Sequence, residues 1–186
     1  MDNLKRLNLG CGMDIREGYI NVDKFMLPNV DVIHNLDVFP YPFDDNSINE
    51  IIFIDCLEHL KDVEAVIEEC YRILKVGAEI IINVPYFSFH GTFYYMNHKP
   101  NFFGYKTFDE YTNGEGREYY YKARFDIIYR RITFDTGRYF THKKFTKIIT
   151  TIIDSIINLR PIVYERWFAW IFPARSIHYK LKKVGI

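Results

Sequence analysis

Cysteine is scarce in this 186-residue chain, which carries Cys11, Cys56 and Cys70. An odd number with no short-spaced pair provides neither a disulfide framework nor a cysteine zinc site. No metal is therefore expected, and a reducing cytoplasm is the expected compartment. Charge of one sign is not in excess either: 24 basic residues balance 24 acidic ones, for a formal net charge of +0. Nucleic-acid surfaces leave a basic footprint, so this balance argues against a DNA or RNA partner. Long apolar runs are missing as well. The richest, Ile162 to Phe172, is broken by Glu165 and Arg166 and falls short of the roughly 18 residues of a membrane span. Met1–Arg6 leads almost directly into an apolar run, without the pattern of a signal peptide. What remains is 48% hydrophobic, the composition of one globular domain over 1–186 with a sizeable core.

Short Ile- and Val-rich runs punctuate the chain. Lys5–Leu9, Tyr19–Val22, Val30–Leu36, Ile48–Ile54, Glu79–Val84, Phe125–Phe134 and Ser176–Val184 read as strands. Several are apolar on both faces, as in a sheet covered on both sides. Between the fourth and fifth, Val63, Val66, Ile67, Cys70 and Leu74 follow helical spacing over Asp62–Lys75, with Asp62 as N-cap and Gly77 as stop. This order predicts an α/β fold built on a parallel sheet. Two segments exceed simple connections. Residues 86–121 hold fourteen Phe or Tyr in 36 positions, against 18% aromatic overall. That is too aromatic for a disordered loop, and it reads as a small second core, a ligand-stacking surface, or both. Residues 144–172 begin with a helical stripe of Phe145, Ile148, Ile149, Ile152, Ile153, Ile156 and Ile157, opposite Thr150, Thr151, Asp154 and Asn158. Core packing, a cover over a ligand site, a homodimer contact and a peripheral membrane contact all fit this pattern.

The chemistry begins at Leu7-Asn8-Leu9-Gly10-Cys11-Gly12. A strand ends in two glycines, and the next strand, Tyr19–Val22, ends in Asp23. A glycine turn lets backbone approach a nucleoside, and a carboxylate on the following strand accepts hydrogen bonds from ribose hydroxyls. The dinucleotide fingerprint needs a third glycine opening a helix, and Ile15 stands at that position. About ten residues separate Leu9 from Asn21, less than the usual parallel crossover. The first helix is thus truncated, and a diphosphate has no helix N-terminus to bind.

Asn35-Leu36-Asp37-Val38, Asp44–Ile52, Cys56-Leu57-Glu58-His59-Leu60, Arg72–Gly77 and Ile80–Pro85 complete a pattern. Together with the glycine turn, it resembles the class I S-adenosylmethionine-dependent methyltransferases, in particular small methyltransferases associated with cell-surface glycan synthesis. The resemblance runs from about Arg6 to Pro85 and resumes at Asn97–Phe103 and Tyr164–Ala169. It implies a Rossmann-like α/β fold, a mostly parallel sheet of about seven strands with an antiparallel strand near the C-terminus, and S-adenosyl-L-methionine as cofactor. It also implies a small-molecule or glycan acceptor, with a hydroxyl as the methylated group. By the resemblance, Gly10, Cys11 and Gly12 lie against the methionine part, Asp23 takes the ribose hydroxyls, and Asp37 with the Val38 backbone meets the adenine. Asp55 and Cys56 line the sulfonium side. Asn83-Val84-Pro85-Tyr86 imitates a motif of amino-directed nucleic-acid methyltransferases, but it follows the fifth strand rather than the fourth and reads as a strand end.

Methyl transfer needs a base only where the acceptor must lose a proton. The groups after the fourth and fifth strands are His59, His90, His98 and Asp109, of which His98 and then His90 are the catalytic candidates. His59 reads as structural. Cys11 has no base paired with it in the sequence and is a poor nucleophile candidate. A binding protein on the same fold and a nicotinamide-dependent oxidoreductase are the alternatives, the second disfavoured by the absent third glycine.

Overall fold

A computed structural model describes residues 4–112, 120–134 and 144–185. The strands are β1 (Arg6–Leu9), β2 (Ile20–Asp23), β3 (Val32–Ile33), β4 (Ile48–Ile54), β5 (Leu74–Pro85), β6 (Phe125–Thr133) and β7 (Ser176–Lys183). They form one sheet in the order β3-β2-β1-β4-β5-β7-β6. The first five strands are mutually parallel, and β7 lies antiparallel between β5 and β6. The sequence of β1, β4 and β5 explains their central place. Leu7, Leu9, Ile51, Phe53, Ile80 and Ile82 are fully buried, and strands covered by helices or loops favour such aliphatic runs.

Helix α1 (Val63–Ile73) packs its buried Val66, Ile67, Cys70 and Ile73 into this core. The Asp62 side chain accepts from the Ala65 N–H at 2.9 Å, capping the first turn as its sequence position predicts. Gly77 does not stop the helix. The chain passes from Ile73 directly into β5, and Gly77, at φ +81°, lies where the β4–β5 register shifts between Ile48 and Glu50. The glycine permits a bulge rather than a cap. The third strand is also shorter than the apolar run around it. Asp31 accepts from the Asn21 N–H at 2.7 Å and Asn35 from the Asp37 N–H at 3.1 Å. Such local side-chain bonds compete with the ladder.

Among the described residues, the connection 10–19 between β1 and β2 contains no helix. A buried amide pair takes its place. Asn8 and Asn21, opposite each other in register, are 1% and 4% exposed. Asn8 Nδ2 donates to the Asp14 carbonyl and to Asn21 Oδ1, and Asn21 Oδ1 also accepts from the Arg16 N–H. Loop backbone is thereby held on the strands where a helix would pack, and the inward amides are satisfied.

Of the aromatic segment, 86–112 and 120–121 are described; the rest, 113–119, lies outside the described residues. Tyr86, Phe103, Phe108 and Tyr111 are buried, with the Phe108 ring 4.8 Å from Tyr179 of β7. Phe93, Tyr94, Tyr95 and Phe102 are exposed. The short helix α2 (Gly91–Tyr94) lies within the segment.

Helix α3 (Lys144–Ile157) packs beside the edge strand β6, and α4 (Pro161–Trp167) follows. The core-packing expectation for the isoleucine stripe is overturned. Ile148, Ile149, Ile152, Ile153 and Ile156 are exposed, while Asp154 is 7% exposed. The polar residues face the protein because the free edge of β6 offers backbone groups. Asp154 accepts from the Phe134 N–H and the Thr133 hydroxyl, at 2.8 and 2.7 Å. Asn158 accepts from the Ile132 N–H and donates to the Ile132 carbonyl. A covered edge is one solution to unpaired ladder groups.

Candidate active site

The strand order reverses direction between β1 and β4, the place where open α/β sheets form a ligand crevice at their carboxyl ends. A cavity of about 420 Å³ lies there, its walls including Gly10, Gly12, Asp23, Leu36, Asp37, Asp55, Cys56 and His59. Gly10 and Gly12 have φ of +68° and +50°. The Gly10 and Cys11 N–H groups both donate to the Val22 carbonyl, at 2.9 and 3.1 Å. A Cβ on Gly10 would come within 2.1 Å of Cys56 Sγ, so the turn can close on β4 only as glycine. Gly12 meets nothing within 4 Å; its requirement is conformational.

Asp23 is 8% exposed. Its Oδ2 accepts from the Gly12 N–H at 2.8 Å and its Oδ1 from the Phe25 N–H at 3.0 Å. The turn thus holds the carboxylate rigidly at the cavity wall, with lone pairs left for hydroxyl donors. Asp37 Oδ1 accepts from the Lys61 N–H at 2.8 Å. Asp55, at φ +50°, follows β4 and its N–H donates to the Asn83 carbonyl. A non-glycine residue in this region carries strain, and such positions concentrate at functional sites. Three carboxylates with Lys24 and Lys99 give a wall suited to a ligand that carries hydroxyls, positive charge and a carboxylate.

Of the expected cofactor residues, Gly10, Gly12, Asp23, Asp37, Asp55 and Cys56 line this cavity, while Cys11 and Val38 do not. Cys11 is buried behind the turn, and burial with the Asp23 charge pushes its thiol up to about 11. At neutral pH it is a protonated packing group. Val38 is exposed, and its carbonyl accepts from His34 Nε2 at 2.9 Å.

His98 and His90 do not line the cavity. The His98 ring packs edge-on against His59, 4.8 Å between centroids, and His59 does line it. Burial and the His59 ring lower the pKa of His98. His90 packs among Phe89 and Tyr94, and Asp109 is paired with Arg130. The sequence reading missed Asn97 and Lys99, which flank His98 and reach the cavity. Their loop is pinned to the 3-10 turn Leu57–His59: Lys99 N–H donates to the Glu58 carbonyl at 2.8 Å, and Asn101 Nδ2 to the Leu60 carbonyl at 2.7 Å. Glu58 is a second omission. It is 2% exposed, and burial, with Asp55 nearby, pushes its carboxyl up to about 8.

Residues 4–82 match the model of a family described as a methyltransferase domain. The match spans β1 through most of β5 and takes in the cavity residues from Gly10 to Leu60. A probable S-adenosylmethionine-dependent methyltransferase of Mycolicibacterium smegmatis is 31% identical over 75 residues, covering 40% of this chain and 28% of that protein. The chain thus spans less than a third of the length of this curated relative. A SAM-dependent methyltransferase structure from Archaeoglobus fulgidus aligns over 97% of this chain and 86% of its own, at TM-score 0.60 and 18% identity. Phosphoethanolamine N-methyltransferase 2 of Haemonchus contortus, solved with S-adenosyl-L-methionine, aligns over 98% of this chain and 49% of its own, at TM-score 0.54 and 17% identity. The architecture is therefore the Rossmann-like methyltransferase fold, with loop backbone in place of its first helix. Among the described residues, no helix is long and apolar enough to cross a membrane.

Proposed function

We propose that the chain binds S-adenosyl-L-methionine in the β1–β4 cavity and transfers its methyl group to a hydroxyl of a small-molecule or glycan acceptor. The observation that carries this reading is Asp23, nearly buried, fixed by the Gly12 and Phe25 N–H groups at the wall of the cavity. The ribose hydroxyls bind Asp23, the adenine lies toward Asp37, and the sulfonium faces the acids at the end of β4. Cys11 supports the turn from behind. Transfer is an in-line displacement at carbon, so alignment of acceptor, methyl and sulfur supplies most of the acceleration. For a hydroxyl acceptor a proton must leave. The groups at that end of the cavity are His59, at the wall, and His98 packed against it; His90 belongs to the aromatic shelf beyond.

A sugar acceptor is supported by a hollow of about 410 Å³ bounded by Phe87, Phe93, Phe102 and Trp170, since aromatic faces stack on sugar rings. One loop serves both places: Asn97 and Lys99 reach the cofactor cavity and Phe102 the hollow. Segments 86–121 and 144–172 act as insertions that shape the acceptor side. The outward isoleucines of α3 serve a contact between copies of the chain, because an exposed apolar face of that size marks an interaction surface.

Calorimetry tests the cofactor reading. S-adenosylhomocysteine binds with 1:1 stoichiometry and NAD does not. Asp23→Ala weakens the former by about 1–3 kcal/mol, the scale of hydrogen bonds to a charged group. Binding of NAD alone, or unchanged affinity in the variant, overturns it.

A further inference from the structure

Beside the cofactor cavity, Glu58, His59 and His98 each offer one ligand atom, and these atoms lie within 4.8 Å of one another. Glu58 is 2% exposed, and its Oε2 has no hydrogen-bond partner. Nδ1 of His98 is likewise buried and without a partner. His59 supplies the decisive detail. Its Nδ1 lies 3.1 Å from the Asn97 carbonyl oxygen, which can only accept, so Nδ1 carries the proton. The other nitrogen, Nε2, then presents a bare lone pair 3.9 Å from Glu58 Oε1. That distance is too long for a hydrogen bond. Two electron-pair donors and an unpartnered buried imidazole nitrogen thus converge on one point.

We infer that Glu58, His59 and His98 bind a divalent first-row transition cation, of the class of zinc, manganese or iron(II). Two imidazoles and one carboxylate are a donor set for such ions, leaving coordination positions open. The outer contacts have the form that metal-ligating histidines show: the second nitrogen of His59 donates to a backbone carbonyl, fixing tautomer and ring orientation. The loop carrying His98 is fastened to the turn carrying the other two ligands by Lys99 N–H and Asn101 Nδ2. Ligands of one ion at about 2.1 Å lie about 3.0–3.4 Å apart at octahedral cis or tetrahedral angles, so a separation near the 4.8 Å limit closes by about 1.4–1.8 Å through side-chain rotation. His59 is at the cavity wall, so an open position there takes an oxygen of the acceptor. That use rests on the methyl-transfer reading. On it, the cation held by the histidine pair would polarise the acceptor oxygen, and the hydroxyl proton would pass to solvent water rather than to a histidine.

The test uses the full chain, stripped with chelator and dialysed. Zinc, manganese and magnesium salts are each titrated alone by calorimetry, and retained metal is measured by elemental analysis. One equivalent of zinc or manganese binds, with magnesium at least tenfold weaker. Glu58→Gln and His98→Asn each weaken the tight metal at least tenfold, while His178→Ala on β7 does not. Circular dichroism and S-adenosylhomocysteine titration of each variant establish that it is folded. Absence of stoichiometric metal in wild-type protein, or retention of it in the Glu58→Gln/His98→Asn double variant, overturns the inference. S-adenosylhomocysteine binding without metal defeats the cation site and leaves the cofactor reading standing. Metal binding without S-adenosylhomocysteine binding does the reverse.

Discussion

At the scale of single residues, the glycine turn separates two requirements that sequence alone merges. Gly10 and Gly12 both have positive φ, but a Cβ at Gly10 also collides with the buried Cys56 side chain. Gly12→Ala should therefore cost only the backbone penalty, about 1–2 kcal/mol. Gly10→Ala should add an overpacking cost of about 1–3 kcal/mol, partly relieved by Cys56→Ala. Urea titration of the three variants checks the order. That Gly10, Gly12 and Asp23 share one cavity wall was legible because the signals are local: a strand, a glycine pair, and an acid at the next strand end. Glu58 and His59 were legible as part of a family motif but not as a site. His98 is 39 positions beyond His59, and no periodicity says which of the other five histidines returns to that turn.

Among the elements, α3 is the clearest divergence between pattern and structure. Amphipathic spacing identifies two faces of a helix but does not say which faces the protein. Here the free edge of β6 selects the polar one, through Asp154 and Asn158. Asp154→Ala removes the acceptor of the Thr133 hydroxyl and of the Phe134 N–H and should destabilise the protein by about 1–3 kcal/mol. Ile152→Ser, on the exposed face, should change stability by less than about 0.5 kcal/mol and reduce self-association. Denaturant titration and sedimentation read the two effects. The missing first helix has a comparable explanation. Asn8 and Asn21 interrupt otherwise apolar strands, and that interruption is the trace left in the sequence of a face covered by loop backbone instead of a helix.

For the molecule as a whole, the strands and their mostly parallel α/β class were readable from the apolar runs, but their spatial order and the place of β7 between β5 and β6 were not. Acid sensitivity is a property at this scale. Burial alone would raise the pKa of Glu69, but hydrogen bonds from the Arg72 side chain and the Tyr41 N–H hold it below its usual value. A carboxyl depressed in the folded state stabilises above its unfolded value and loses that contribution as pH falls through the folded one. Stability should decline below about pH 4.5, and Glu69→Gln should flatten that decline in denaturant titrations at stepped pH. The position of β7 has a further consequence in time. During synthesis β6 emerges before the strand that pairs it, and β5 keeps a bare edge until the same moment. At about 5–20 residues per second, the β7-facing edges of β5 and β6 stay unpaired for seconds, and α3, which covers the opposite edge of β6, shields neither.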